Sequence, residues 1–251
     1  MINYQAPADL LKERVILVTG AGQGLGRIAA LEFAKHGATV ILLGRKVEKL
    51  EQVYDEMLAA GYPEAVIFPM DLEQASDDDF KNMALGIKQQ LKRLDGILHN
   101  AARYFTPSLL ESQPLDQWMT LLRVNLAAPF ALTRACLPLL RQAPDASVIM
   151  TGETHGHTPK AYWGGFAVSK AGLETLTKIW ADEMESQSPQ IRINAVIPGP
   201  INTPMRTRSH PGELPESRIQ PETLMPSYLY LMGPDSKDKN GLIYDLANSE
   251  C

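Results

Sequence analysis

The chain has 251 residues, 45% of them hydrophobic and 21% charged, a balance that fits a soluble protein with a sizeable core and does not fit a disordered one. Its net charge of -5 argues against a nucleic-acid partner, because phosphate binding wants a basic face. The two cysteines, Cys136 and Cys251, offer neither a disulfide framework nor a metal-ligand pair. The N-terminal stretch MINYQAPADLLKER lacks the layout of a signal peptide, and no apolar run reaches the roughly 18 residues that span a bilayer. A cytoplasmic setting is the expectation.

The first apolar run, VILVTG at 15–20, is short, rich in β-branched residues and closed by glycine, which predicts a buried strand. A helix should run from Gly24 to His36, stopped by Gly37. The pair repeats as a strand at 38–44 and a helix at 46–61. EAVIFPMDL predicts a third strand, and Ser76 caps a helix that opens with Asp77, Asp78 and Asp79. LDGILHNAA is a fourth strand, followed by a long helix over roughly 115–141. Then come the strand SVIMTG, a helix through 166–185, the strand IRINAVIPG and a short last strand near GLIYDL. Such alternation implies right-handed crossovers and therefore one parallel, doubly wound α/β sheet with helices on both faces in a single domain. The stretch from Pro198 to Pro226 holds seven prolines, which forbid a long helix or a central strand. It is too long for an idle connection and reads as a binding loop or lid.

Between the first strand and first helix lies TGAGQGLG, Thr19 to Gly26. The general dinucleotide pattern fails when counted from Gly20 and Gly22, and is met only as Gly24, Gly26 and Ala29. The glycines still allow a tight turn that brings backbone N–H groups to a pyrophosphate. TGAGQGLG resembles the TGxxxGxG motif of the short-chain dehydrogenase/reductase family. Asp71 in MDL, Asn100 in HNAA, Asn125 in RVNLAAPF, Lys170, and INAVIPGPINTPM follow in that family's order across nearly the whole chain.

The resemblance implies a seven-stranded Rossmann sheet and a nicotinamide cofactor. The turn residues Gly20, Gly22, Gln23, Gly24, Leu25 and Gly26 would cradle its phosphates, with Asp71 and Leu72 beside the adenine. Asn100 and Ala101 would lie at the fourth strand's end, Lys170 on the nicotinamide ribose, and Pro198, Gly199, Ile201 and Thr203 beside the nicotinamide. The end of the second strand reads Leu43-Gly44-Arg45-Lys46, with no carboxylate for a ribose 2′-OH. Arg45 can fork onto a 2′-phosphate, which favours NADP(H) over NAD(H). Two positions depart from the family, His99 and Ala102, the latter where glycine is usual; its methyl would crowd the cofactor unless φ there is negative.

In the family an Asn, a Ser, a Tyr and a Lys carry the reaction. Asn125 and Lys170 match, but Phe166 stands at the tyrosine and Glu153 at the serine. A phenyl ring has no proton to give, and positioned proton transfer commonly supplies about 10² to 10⁴ in rate. Replacement donors are Tyr162, one turn before Phe166 if the helix starts early, Glu153 itself, His155 or His157, which share a face with Glu153 if that segment is extended, or a water held by Asn125 and Lys170. Arg206, Arg208, His210 and Arg103 would suit an acidic ligand. The sequence thus supports two readings: an NADP(H)-dependent oxidoreductase with altered proton transfer, or a non-catalytic cofactor-binding sensor or partner subunit. The resemblance also implies a homodimer or homotetramer built on the helices at 115–141 and 166–185. No metal site is expected.

Overall fold

The computed structural model describes residues 3–186 and 191–247. Cys251 lies outside them, while Cys136 is buried and its thiol is pushed up to about 12 by burial. In chain order the elements are β1 (Val15–Thr19), α1 (Gly24–Lys35), β2 (Thr39–Gly44), α2 (Val47–Ala59), β3 (Val66–Pro69), α3 (Asp77–Gln90) and β4 (Gly96–His99). There follow α4 (Leu115–Leu122), α5 (Ala128–Leu140), β5 (Ala146–Thr151), α6 (Thr154–His157), α7 (Gly164–Glu185), β6 (Ile191–Ile197), α8 (Pro204–Ser209), α9 (Met225–Met232) and β7 (Ile243–Asp245).

All seven strands pair in parallel in the order β3-β2-β1-β4-β5-β6-β7. The period-two alternation of strand side chains splits the core in two. Leu17, Ile41, Ile97, Val148 and Ile193 face α3, α5 and α7, while Ile16, Val18, Val40, Leu42 and Ile149 face α1, α2 and α9. The order of connection reverses between β1 and β4, and a crevice opens there beyond the strands' carboxyl ends, where such sheets take ligands.

Local signals operate as expected at several helix ends. Gly37 stops α1 with φ +95°, and Ser76 closes a capping box with Asp79 at the start of α3. The long helix expected at 115–141 is present but interrupted: a π-helical turn at Arg123–Ala127 separates α4 from α5. The proline-rich stretch forms α8 and short 3₁₀ turns, pinned by a bridge between Ile201 and Ile219, before its last proline, Pro226, enters the first turn of α9.

At the opposite end of the sheet, where the strands begin, sits an ionic cluster. Arg14 and Arg192 both pair with Asp145, and Arg192 also donates to the Gly233 carbonyl at 2.9 Å. Nearby, Asp95 is 1% exposed, accepts from the Val15 backbone N–H at 2.8 Å and pairs with Arg93. The group joins the amino ends of β1, β4, β5 and β6.

Candidate active site

The chain leaves β1 at Thr19 and turns through Gly20 and Gly24, whose φ values of +68° and +56° suit residues without a side chain. Thr19 Oγ1 accepts from the backbone N–H groups of Asn100 and Ala101, both at 3.0 Å, so the ends of β1 and β4 are tied together. A methyl on Gly26 would come closer than 3.0 Å to the Gly20 carbonyl oxygen and to Asn100 Nδ2. Gly26 therefore does not line the crevice but lets α1 pack directly beneath the turn. Gly20, Gly22, Gln23, Gly24 and Leu25 form the floor of a cleft of about 750 Å³.

At the end of β2, Arg45 and Lys46 are exposed on the cleft rim, and the first turn of α2 returns Lys49 to the same place. Lys49 Nζ bonds Gln23 Oε1, which links these cations to the glycine turn. Asp71 and Leu72 border the cleft beyond β3, and Asp71 Oδ1 accepts from the Glu73 N–H at 3.0 Å. Asn100 and Ala101 line it at β4, while Pro198, Gly199, Ile201 and Thr203 close it from the other side. Thr203 caps α8 by accepting from the Arg206 N–H at 3.2 Å. Ala102 is not among the positive-φ residues, so its methyl fits the turn without strain. His99 is buried, bonds Thr133 Oγ1 at 2.8 Å, and has its pKa lowered to about 3 by burial and then by Lys170. It is a neutral structural side chain.

The far end of the cleft is lined by Lys170, Phe166, Glu153, Trp163 and Tyr104. Lys170, 3% exposed, donates to the Thr151 carbonyl at 2.6 Å. Burial lowers its pKa to about 8, against a smaller opposing pull from Glu153. Phe166, on the first turn of α7, is 4% exposed and packs against Trp163 and Tyr104 at ring-centroid distances of 5.9 and 5.5 Å. Asn125 lies in the π-helical turn rather than on the cleft wall. Its Oδ1 accepts from the Arg103 N–H at 2.7 Å, and its Nδ2 donates to the Arg103 carbonyl at 3.1 Å and to Ser169 Oγ at 3.0 Å.

The alternative proton donors separate. The segment after β5 is not extended, because the Glu153 carboxylate accepts from the His155 N–H at 2.6 Å and caps the short helix α6. His155 consequently packs against Trp163, the rings tilted by 34° with centroids 4.1 Å apart, while His157 turns outward to Glu174 at 3.0 Å. Tyr162 is not on α7 at all: that helix begins at Gly164, and Tyr162 occupies the preceding turn with φ +76° and 55% exposure. Among the basic residues, Arg206 pairs with Glu213, and Arg103 stands 3.9 Å from Glu73. Arg208 has no ion-pair partner among the described residues.

The family model described as short chain dehydrogenase matches residues 14–214. The chain belongs to the short-chain dehydrogenase family. Among the relatives of this short-chain dehydrogenase, the Escherichia coli K12 protein described as uncharacterized oxidoreductase YciK is 38% identical, over 97% of this chain and 96% of its own. A solved structure from Pseudomonas syringae is 41% identical with a TM-score of 0.92, covering 98% of this chain and 99% of that one. Another, from E. coli CFT073 and complexed with NADPH, is 39% identical with a TM-score of 0.91, covering 95% and 98%.

Lys46, Lys49, Tyr104 and Trp163 are among the cleft residues of the short-chain dehydrogenase that were not singled out from sequence. Lys46 is the N-cap residue of α2 and Lys49 lies in its first turn, so both could have been placed beside Arg45 from the predicted helix start. Tyr104 and Trp163 sit on loops, where no periodicity says which way a ring turns. Among the described residues no group of three or more His, Cys, Asp or Glu could hold a metal ion, and no helix is long and apolar enough to cross a membrane.

Proposed function

We propose that this short-chain dehydrogenase binds NADP(H) and exchanges hydride with a small carbonyl or alcohol substrate. The observation that carries the reading is the continuity of one cleft, from the glycine turn past Arg45, Lys46 and Lys49 to Lys170. The turn and the N-terminus of α1 offer backbone N–H groups to a pyrophosphate. Arg45, with Lys46 and Lys49 beside it, holds a ribose 2′-phosphate, and no carboxylate stands at the end of β2 to favour the unphosphorylated ribose. Asp71 and Leu72 flank the adenine. Lys170 bonds the nicotinamide ribose, and Pro198, Gly199, Ile201 and Thr203 border the nicotinamide. When bound, the cofactor supplies or accepts the hydride. Asn125 holds the loop after β4, and residues between Pro198 and Ser209 form the substrate-side wall, where Arg208 is available to an acidic group.

Calorimetric titration tests the reading: binding of NADPH at least tenfold tighter than NADH is expected, and absence of binding to either would overturn it. The burial of a phenyl ring at 166 favours a second reading, a cofactor-binding sensor with no turnover. The two part on whether any carbonyl compound oxidises bound NADPH in a single-turnover assay. A second copy of the chain fits the exposed apolar side chains Leu115, Met119, Phe130, Val168 and Ile179 on α4, α5 and α7. Light scattering should give a dimer or tetramer mass.

A further inference from the structure

We propose that Tyr104 is the proton donor of this site, taking the part that Phe166 cannot play. The inference rests on the hydride-exchange reading above. Tyr104 follows β4 on the loop that forms one cleft wall, and its ring meets Phe166 edge-on, with centroids 5.5 Å apart and planes at 89°. The two rings are therefore in van der Waals contact, and a phenol stands on the pocket wall that adjoins Phe166. Its hydroxyl is shielded from solvent and has no hydrogen-bond partner among the described residues. Packing alone would be served better by phenylalanine, which buries no unpaired polar atom.

The surroundings suit a donor. From α8 the Arg208 guanidinium favours the tyrosinate, whereas burial, the larger effect, and Glu153 from the start of α6 favour the neutral phenol. Before reaction the group is consequently protonated. Other titratable groups at this end of the cleft are His155, tilted against Trp163, His210, stacked on it, and Lys170, held by Thr151, while Asp71, Glu73, Arg103 and Arg206 line the same cleft. The other donors first considered are occupied or elsewhere: Glu153 caps α6, and Tyr162 is outside the pocket. Asn125 is a positioning residue in this scheme. By clamping both backbone groups of Arg103 it fixes the residue next to Tyr104.

In the reducing direction the carbonyl carbon gains the hydride given up by the reduced nicotinamide, and the C=O π pair moves to oxygen. That oxygen takes the Tyr104 proton as the phenolic O–H bond breaks. The products are an alcohol, the oxidised nicotinamide and a tyrosinate, which solvent reprotonates through the open end of the cleft.

The test uses Tyr104→Phe, Phe166→Tyr and the double variant, with the wild type. Ultraviolet titration of tyrosinate, wild type minus Tyr104→Phe, should show one phenol ionising above the usual tyrosine range without cofactor. Saturating NADP⁺ should move that ionisation to lower pH, because a nicotinamide bound beside Lys170 would bring its positive charge to this end of the cleft. With 4-nitrobenzaldehyde as the carbonyl probe, Tyr104→Phe should lose about 10² to 10⁴ in kcat. NADPH affinity should stay unchanged, and Phe166→Tyr in that background should restore part of the rate. A tyrosinate titration indifferent to NADP⁺, or a Tyr104→Phe protein as active as the wild type, overturns the proposal. If the aldehyde leaves bound NADPH unoxidised, the titration decides alone. Failure of the wild type to bind NADPH sinks the reading of function, whereas intact binding with an unaffected Tyr104→Phe variant sinks only this inference.

Discussion

Gly26→Ala places a methyl group within 3.0 Å of the Gly20 carbonyl oxygen and of Asn100 Nδ2, with the Gly20 carbonyl carbon at 3.0 Å. Two of these three atoms are backbone and cannot rotate away, so α1 or the glycine turn must shift. Overpacking of this kind costs about 1 to 3 kcal/mol, and the rigid neighbours put this site at the upper end. Alanine's better helix propensity returns about 0.5 to 1 kcal/mol, leaving a net loss of about 2 kcal/mol. For a chain of this size that lowers Tm by about 4 to 8 °C. Cofactor affinity should fall with it, because the displaced segment is the one proposed to face the pyrophosphate. Gly86 on α3 provides the control: an added methyl meets nothing within 4 Å, so Gly86→Ala gains the propensity term alone and raises Tm by about 1 to 4 °C. Scanning calorimetry of both variants, with and without NADPH, checks the pair. A Gly26→Ala protein that melts with the wild type while Gly86→Ala behaves as stated would refute the steric argument.

Arg45→Ala should weaken NADPH by about tenfold or more while leaving NADH within a factor of about two, measured by calorimetry at fixed salt. His99 has a folded pKa near 3 against the ordinary 6.5, so between those values the unfolded chain binds a proton that the folded one refuses. Stability is fully present above pH 6.5 and falls by up to about 1.4 kcal/mol per pH unit as pH drops towards 3. Urea unfolding of His99→Asn should show a shallower slope over that window. Asp145→Ala leaves Arg192, which is 1% exposed, without its carboxylate, and should cost about 3 kcal/mol or more in urea unfolding while sparing NADPH affinity.

The parallel sheet was legible because its strands are short β-branched runs separated by helices with explicit stops, such as Gly37 and the Ser76 box. The glycine turn was legible for a related reason: backbone geometry there demands glycine, by positive φ at Gly20 and Gly24 and by close approach at Gly26. The reacting end was less so. The break in the long helix depends on Asn125 finding the backbone of Arg103, 22 residues earlier, which is a tertiary bond that no local pattern announces. The fate of His155 and His157 turned on whether Glu153 would cap a helical turn, a competition between local hydrogen bonds that composition leaves open. Tyr104 lies on an irregular loop, and the direction of its ring is set by Trp163 and Phe166, which come from the far side of the pocket.

Arg14, Asp95, Asp145 and Arg192 all sit where strands enter the sheet, and everything that would touch a ligand sits where strands leave it. The molecule is fastened at the end opposite its opening, as a hand fan is riveted at its base. A side chain at the open end can exchange a hydroxyl for a hydrogen without loosening the rivet, so a lineage carrying this scaffold could try a new arrangement of acids before discarding the old one.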